Sequence, residues 1–371
     1  MGARKTGKST YLKQVYPNSL YIDFLHHETY LRYSRNPSLL REELLAYQSI
    51  IDAPIIIDEV QKVPEILDEV HWMIENIKGI SFILCGSSLR RLKHKGANLL
   101  GGRAWRQLFV PLCYPELPHF NLLKIFNHGL LPQHYLSEEV PIRSLEGYIV
   151  DYIIPEVQWE GQIRNLGAFN RFLESIAFSN CEMLNYSNIA RECGVNIKTA
   201  QGYVALICDM LLGHLITPYT PRTSRQLIMS APKFYFFDVS LAQFLLQKEI
   251  RLLKGSDAEH ALEHYVFLEL LAYKELKKKR YDIKYWRTKN GLEVDFILGQ
   301  GDVAIEVKIS APVGKHDLNG LVAFATEHKP RLSIVVVLEP VKRIMNIDGI
   351  SLHVYPNFSY KNFGMVRLFN T

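Results

Sequence analysis

The chain has 371 residues, enough for two or three domains, and 48% of them are hydrophobic, enough to form real cores. A net charge of +5 agrees with a polyanionic partner without requiring one. No apolar run approaches the ~20 residues of a membrane helix and no signal peptide is visible, which argues against a membrane-spanning or secreted protein. The 5 cysteines form no Cys-x-x-Cys pair, so we expect a cytoplasmic protein without a structural zinc site.

The first motif lies at the very start of the chain. Residues 2–9 read Gly-Ala-Arg-Lys-Thr-Gly-Lys-Ser, the pattern of a phosphate-binding loop. Such a loop points backbone N–H groups at a phosphate, and a helix starting near Thr10 adds the positive end of its dipole. We expect Lys8 to reach the β- and γ-phosphates of ATP and Ser9 to place its hydroxyl on Mg²⁺. The predicted nucleotide-binding residues are Gly2, Thr6, Gly7, Lys8, Ser9 and Thr10.

A second motif is the apolar run Ile55–Ile57, which ends in Asp58 and Glu59. The pattern indicates a buried parallel strand with acids at its carboxyl end, the edge where open α/β sheets bind ligands. We expect Asp58 to hold Mg²⁺, directly or through water, and Glu59 to orient or deprotonate the attacking water. A core strand followed by a helix N-terminus is the alternative explanation. The elements predicted around this motif are a strand at 21–24 and helices at 37–47 and 64–77.

A third motif follows the next apolar strand, predicted at 80–85, which ends in Gly-Ser-Ser. The hydroxyl of Ser87 or Ser88 is expected to sense the γ-phosphate or to position water. Arg103 comes after a Gly-Gly pair, and a fixed guanidinium there stabilises charge on a transferring phosphoryl group. A solvated surface position explains Arg103 equally well. A last short strand is predicted at 105–110.

The order of these motifs carries a family resemblance. The motifs are the phosphate loop, Ile-Ile-Ile-Asp-Glu-Val-Gln at 55–61, Cys-Gly-Ser-Ser at 85–88, Gly-Arg at 102–103 and Pro-Leu-Cys-Tyr-Pro-Glu-Leu at 111–117. Together they resemble the AAA-type ATPases of bacteria and archaea that carry a C-terminal domain of unknown function related to PD-(D/E)xK nucleases. The resemblance covers nearly the whole chain and implies a P-loop sheet with the strand order 5-1-4-3-2.

One strand of that sheet has no counterpart in the sequence. The strand before the phosphate loop is central in the resembled fold, between the strands predicted at 80–85 and 105–110, yet only Met1 precedes the loop. A missing central strand leaves two rows of backbone groups unpaired, and each buried unpaired group costs ~1–3 kcal/mol. We therefore expect either a true start further upstream or a decayed ATPase that binds nucleotide weakly.

A helix-turn-helix is predicted in the middle of the chain. Residues 186–195 read Tyr-Ser-Asn-Ile-Ala-Arg-Glu-Cys-Gly-Val, in which Gly194 permits the left-handed turn between two helices. A wing hairpin is predicted within 211–237. In a DNA-binding role the second helix enters a major groove and the arginines contact phosphates; packing as a lid or against protein is the alternative. The predicted DNA-binding residues are Lys198, Thr199, Gln201, Arg222 and Arg225.

The C-terminal part contains a second candidate metal site. A helix is predicted over 257–279, followed by a hairpin with strands at 293–298 and 303–308. Carboxylates and a lysine arranged this way hold Mg²⁺ and activate water for phosphodiester cleavage. By resemblance to the PD-(D/E)xK core, the metal ligands are Glu263, Asp295 and Glu306, with Lys308 beside them. A degenerate domain kept for binding or assembly is the alternative.

The sequence thus predicts an α/β protein: a P-loop parallel sheet whose first strand is missing, a winged helix, and a restriction-nuclease-like α/β domain. The predicted boundaries are 1–115 for the ATPase core, 116–182 for a helical lid, 183–240 for the winged helix and 255–371 for the nuclease-like domain. The expected function is ATP binding and hydrolysis, with Mg²⁺, coupled to engagement of DNA. A non-catalytic DNA-binding or assembly protein and a metal-dependent nuclease are the alternatives; a homo-oligomer is left open.

Overall fold

The computed structural model describes residues 1–46, 53–88, 104–137, 141–221, 231–310 and 312–356. The strands are β1 Tyr21–Asp23, β2 Ile55–Asp58, β3 Phe82–Leu84, β4 Gly213–Ile216, β5 Lys233–Phe236, β6 Ile283–Arg287, β7 Glu293–Leu298, β8 Val303–Val307, β9 Leu332–Val337, β10 Arg343–Ile347 and β11 Ile350–Pro356. The helices are α1 Lys8–Val15, α2 His27–Arg35, α3 Leu39–Ala46, α4 Ile66–Asn76, α5 Leu122–His128, α6 Pro132–Tyr135, α7 Pro141–Tyr148, α8 Ile154–Gly161, α9 Leu166–Phe178, α10 Tyr186–Cys193, α11 Ile197–Asp209, α12 Val239–Leu245, α13 Ser256–Leu276 and α14 Asn319–His328.

The N-terminal unit is a parallel sheet in the order β1-β2-β3 with helices on both faces. The apolar run of β2 is completely buried because it is covered on both sides, as the absence of alternation predicts. Ile56 packs with Leu12 of α1, whereas Ile55 and Ile57 face the core that includes α3 and α4. The order agrees with the 4-3-2 part of the series expected for a P-loop fold, and these three predicted strands are confirmed.

The prediction of a strand at 105–110 is wrong, because this segment does not form a regular strand. Within the described ranges, the backbone of this segment pairs with Met1, whose N–H donates to the carbonyl of Gln107 at 2.9 Å and whose carbonyl accepts from the N–H of Phe109 at 2.6 Å. On the other side, Gly2 donates to the carbonyl of Gly86 at 3.2 Å. Met1 and Gly2 therefore lie between two backbone segments, where the central strand of the resembled fold is expected.

A cavity of about 700 Å³ continues from this position, and we call it the strand slot. It is lined on one side by residues 82–85 of the β3 region and on the other by residues 104–105 and 107–110. Since β3 pairs only with β2 in the described sheet, its second edge faces the strand slot.

The middle of the chain is a helical unit built around one hydrophobic core. This core contains Tyr148 of α7, Phe172 of α9 and Val204 of α11, together with Ala3 of the phosphate loop. Helices α10 and α11 are joined by Gly194, which has φ 67° and ends α10 in the left-handed conformation as predicted. The hairpin β4–β5 follows, with residues 222–230 outside the described ranges.

The C-terminal unit is a mixed sheet in the order β10-β11-β9-β8-β7-β6. The predicted hairpin of β7 and β8 is confirmed, with Phe296 opposite Ile305. Helix α13 packs on one face of the sheet and α14, which connects the parallel strands β8 and β9, packs on the other.

Helix α13 also contacts the units before it. Its Glu275 accepts from the N–H of Leu108 at 3.3 Å, and its Glu269 accepts from the N–H of Tyr114 at 2.8 Å. His264 lies 3.2 Å from Asn180 of the helical unit. In the described part of the chain, no helix combines the length and the apolar character needed to cross a bilayer.

Candidate functional site

The phosphate loop runs from Gly2 to Ser9 and leads into α1, which begins at Lys8. Gly7 has φ 90°, a conformation that residues with a side chain rarely adopt. Gly2 is needed for a different reason: a Cβ there would lie 2.3 Å from the carbonyl oxygen of Phe109. Thr6 closes the loop, because its hydroxyl donates to the carbonyl of Ala3 at 2.8 Å. Thr10 is exposed in the first turn of the helix.

Lys8 is the buried lysine of the loop and is only 6% exposed. Its ammonium donates to the carbonyls of Gly2 and Ala3, both at 2.6 Å, and so spans the loop from the inside. Burial lowers the pKa of Lys8, and the carboxylates of Glu59 and Asp58 act in the opposite direction. Its place inside the loop fits the role predicted for it, contact with the phosphates of a nucleotide.

Asp58 and Ser9 meet at the carboxyl end of β2. The hydroxyl of Ser9 donates to Asp58 Oδ2 at 2.6 Å, and Tyr21 donates to the same oxygen. Burial and the bond to Asp58 raise the pKa of the Tyr21 phenol, so Tyr21 stays a donor. A hydroxyl next to a carboxylate is an oxygen pair of the kind that Mg²⁺ prefers, so the residues present fit Mg²⁺. The sequence pattern predicted Ser9 and Asp58 here but gave no signal for Tyr21.

Glu59 follows directly and is held by three donors. Its Oε2 accepts from Gln61 at 2.6 Å, from Ser87 at 3.1 Å and from Arg4 at 3.3 Å. Glu59 has φ 57°, a left-handed conformation that is uncommon for a residue with a side chain. Strained backbone of this kind often marks functional positions. The structure thus brings together Glu59 and Ser87, two of the predicted catalytic residues, and their catalytic roles stay predictions.

The helical unit covers this site from the other side. Glu156 of α8 lies 3.1 Å from Arg4, and its carboxylate accepts from Ser87 at 3.4 Å. Burial raises the pKa of Glu156. Ser88, fully buried, donates to Glu160 at 3.5 Å.

Sequence reasoning missed Arg4 and Glu156 for different reasons. Arg4 occupies a variable position of the loop motif, where the residue type carries no meaning on its own. Glu156 lies on a helix without a motif, and only folding brings it to the loop. Arg103, Arg222 and Arg225 lie outside the described residues, so their predicted roles stay predictions.

The three residues predicted to contact DNA from the second helix lie in the first two turns of α11, and their contact with DNA stays a prediction. Lys198 and Gln201 are exposed, and Thr199 is half-buried. The hydroxyl and the N–H of Thr199 both donate to the side chain of Asn196, at 3.1 and 2.8 Å, so Asn196 caps the N-terminus of α11.

The predicted carboxylates of the C-terminal unit do lie near one another, but a lysine from another part of the chain forms ion pairs within the group. Lys233 of β5 contacts Glu263 at 3.3 Å and also Glu293, while Lys308 pairs with Glu306 at 2.9 Å. Burial raises the pKa of Asp295 to about 7, and the charge of Glu263 acts in the same direction.

The prediction that Glu263, Asp295 and Glu306 form a metal-ligand group is wrong for this structure. Among the described residues, no group of three or more His, Cys, Asp or Glu side chains is arranged to hold a metal ion. Protein donors already bind two of these carboxylates: Lys233 places its charge on Glu263, which Tyr235 also binds, and the N–H of Val307 donates to Asp295 at 2.7 Å.

Comparison with known families agrees with the geometry of the loop. Residues 1–117 match the family model of an AAA domain. This match supports an AAA-type ATPase. Residues 120–251 and 258–357 match two models that are each described as a domain of unknown function, DUF8612 and DUF4143. No curated protein and no solved structure matches the chain. Because the model that matches the C-terminal unit is described only as a domain of unknown function, the resemblance of this unit to nucleases stays a prediction.

Proposed function

We propose that this chain binds ATP with Mg²⁺ at the phosphate loop of its AAA domain, hydrolyses it, and uses the nucleotide state to control engagement of DNA. The observation that carries the proposal is the meeting of Lys8, Ser9 and Asp58 at the carboxyl edge of a parallel sheet. A P-loop NTPase needs a cation for the phosphates at this edge, together with an oxygen pair for the metal.

Each side chain has a distinct task in this proposal. Lys8 exchanges its bonds to the loop carbonyls for the phosphates, and Ser9 and Asp58 hold Mg²⁺, which when bound neutralises charge on the phosphate oxygens. Glu59 orients the attacking water or takes its proton. In the present structure three donors bind the Glu59 carboxylate through Oε2 and fix its orientation at the edge of the sheet.

The route to DNA passes through the helical unit. Ala3 of the loop belongs to the same hydrophobic core as α10 and α11, and Arg4 is paired with Glu156 of α8. A shift of the loop on binding nucleotide therefore acts on packed neighbours that reach the helix-turn-helix. The exposed side chains of Lys198 and Gln201 are the groups that we propose to contact DNA.

The test is ATP hydrolysis by the full chain with and without duplex DNA. DNA should stimulate hydrolysis, and the double variant Lys198→Ala/Gln201→Ala should lose the stimulation relative to its own DNA-free rate. Lys329→Ala, which removes an exposed lysine of the C-terminal unit, is the matched control and should be stimulated like the parent. DNA binding that is indifferent to nucleotide would instead favour the non-catalytic alternative. Mg²⁺-dependent cleavage that Asp295→Ala abolishes would favour the nuclease.

A further inference from the structure

The carboxylate cluster of the C-terminal unit contains more buried acids than its own fold neutralises. Glu263, Asp295 and Glu306 are each at most 9% exposed, and Glu293 is close by. One atom of the cluster, Glu306 Oε2, is buried without any hydrogen-bond partner in the described structure. Buried carboxylates are normally paired or bind a cation, so a cation is expected here.

A cation is present, and it comes from outside the C-terminal unit. Lys233 belongs to β5, in the hairpin that follows the helix-turn-helix, and its side chain is 4% exposed. Its ammonium lies 3.3 Å from Glu263 Oε1 and also contacts Glu293. Burial alone would lower the pKa of Lys233, but the charges of Glu263, Asp295 and Glu293 outweigh it and raise that pKa well above its usual value.

The position of Lys233 is fixed by its strand. Tyr235, two residues further along β5, donates to the same Glu263 oxygen at 2.6 Å, so β5 delivers both a charge and a hydroxyl to one carboxylate. Lys308 cannot replace Lys233, because Lys308 binds Glu306 at 2.9 Å and Glu259 at 3.5 Å instead. The two lysines therefore contact different acids, and the charges of both act on the pKa of Asp295.

We propose that Lys233 supplies the cation of this carboxylate cluster in place of a divalent metal, and that the cluster takes up Mg²⁺ or Mn²⁺ only when the Lys233 ammonium is removed. The strand β5 thus acts as a built-in block of the site, and the C-terminal unit does not carry a metal-dependent activity while the block is in position. This inference does not depend on the proposed ATPase.

The test is a titration of the nucleotide-free full chain with Mn²⁺. Electron paramagnetic resonance measures the Mn²⁺ that remains free, and the bound amount is the difference from the total. In the parent, the amount of bound Mn²⁺ should stay the same when Asp295 is replaced by Asn. Lys233→Met, which keeps the length of the side chain without its charge, should gain one Mn²⁺ per chain, and adding Glu306→Gln should abolish that gain. Lys315→Met is the matched control, since Lys315 is 58% exposed and pairs with the surface residue Asp348; it should behave like the parent.

Lys233→Met leaves buried acids without their partner, so it is paired with a second variant. Lys233→Met/Glu293→Gln removes one charge of each sign and still leaves Glu263, Asp295 and Glu306 for the metal. A folded form of either variant that gains no Mn²⁺ would overturn the proposal. The proposal would also be overturned if Mn²⁺ raised the melting temperature of the parent but not that of Asp295→Asn.

Discussion

The sharpest test of the nucleotide site is Glu59→Gln. The change keeps the shape of the side chain and removes the carboxylate that we assign to the attacking water. A general base contributes ~10²–10⁴-fold to the rate, so turnover should fall by that factor, equal to about 2.7–5.5 kcal/mol of activation free energy. Nucleotide binding should remain, because the contacts expected for the phosphates come from the loop and Lys8.

The cost in stability is expected to be much smaller. The Arg4–Glu59 pair spans 3.3 Å, with the two side chains 21% and 6% exposed, and Arg4 keeps Glu156 as a second partner. Loss of this ion pair should therefore cost about 1 kcal/mol and lower the melting temperature by about 2–4 °C. Because the expected loss of turnover exceeds this cost several-fold, a folded variant with no turnover reports on chemistry.

The assay pairs a fluorescent-nucleotide titration with single-turnover phosphate release. Glu156→Gln is the matched control: it makes the same chemical change in the other carboxylate bound to Arg4, at 3.1 Å, but away from the strand edge. Its rate should stay within about tenfold of the parent, a change of about 1.4 kcal/mol. Parental turnover by Glu59→Gln, or an equal loss in both variants, would show that the base has been assigned incorrectly.

Three further predictions follow from other parts of the molecule. Lys8→Met should weaken ATP binding by about 100-fold or more, because a charged hydrogen bond to phosphate is worth ~1.5–3 kcal/mol and Lys8 is expected to make several; titration with ATP checks this, and unchanged affinity contradicts it. Burial raises the pKa of Glu269 to about 7, above its unfolded value, so its stabilising effect is complete below about pH 4.5 and is lost as the pH rises through 7. The free energy of unfolding should fall by about 3 kcal/mol over this window in the parent, and Glu269→Gln should flatten that dependence in urea titrations. An apolar segment of about 5–6 residues fused before Met1 should pair within the strand slot and raise both the melting temperature and the ATP affinity; calorimetry that finds no change would rule out that use of the slot.

The sequence predicted the parts of the fold that depend on local pattern. The run Ile55–Ile57 reads as a buried strand because it does not alternate, and the turn at Gly194 follows from its lack of a side chain. The segment 105–110 has an apolar pattern too, but a strand forms only with a partner, and pairing is a property of neighbours in space. For the same reason the pattern gave no sign of Lys233, which reaches Glu263 across 30 positions of the sequence.

Helix α13 has a consequence for how the chain can be divided. Its acidic side chains accept hydrogen bonds from Leu108 and Tyr114 of the N-terminal region and from Lys233 of the hairpin. A cut near residue 255 therefore leaves buried acids without their hydrogen-bond donors in one fragment, and it leaves those donors without their acceptors in the other. Fragments made at the family-model boundaries should aggregate or be digested by protease, whereas the intact chain should melt in one transition, with the slowest-exchanging amides clustered along this helix.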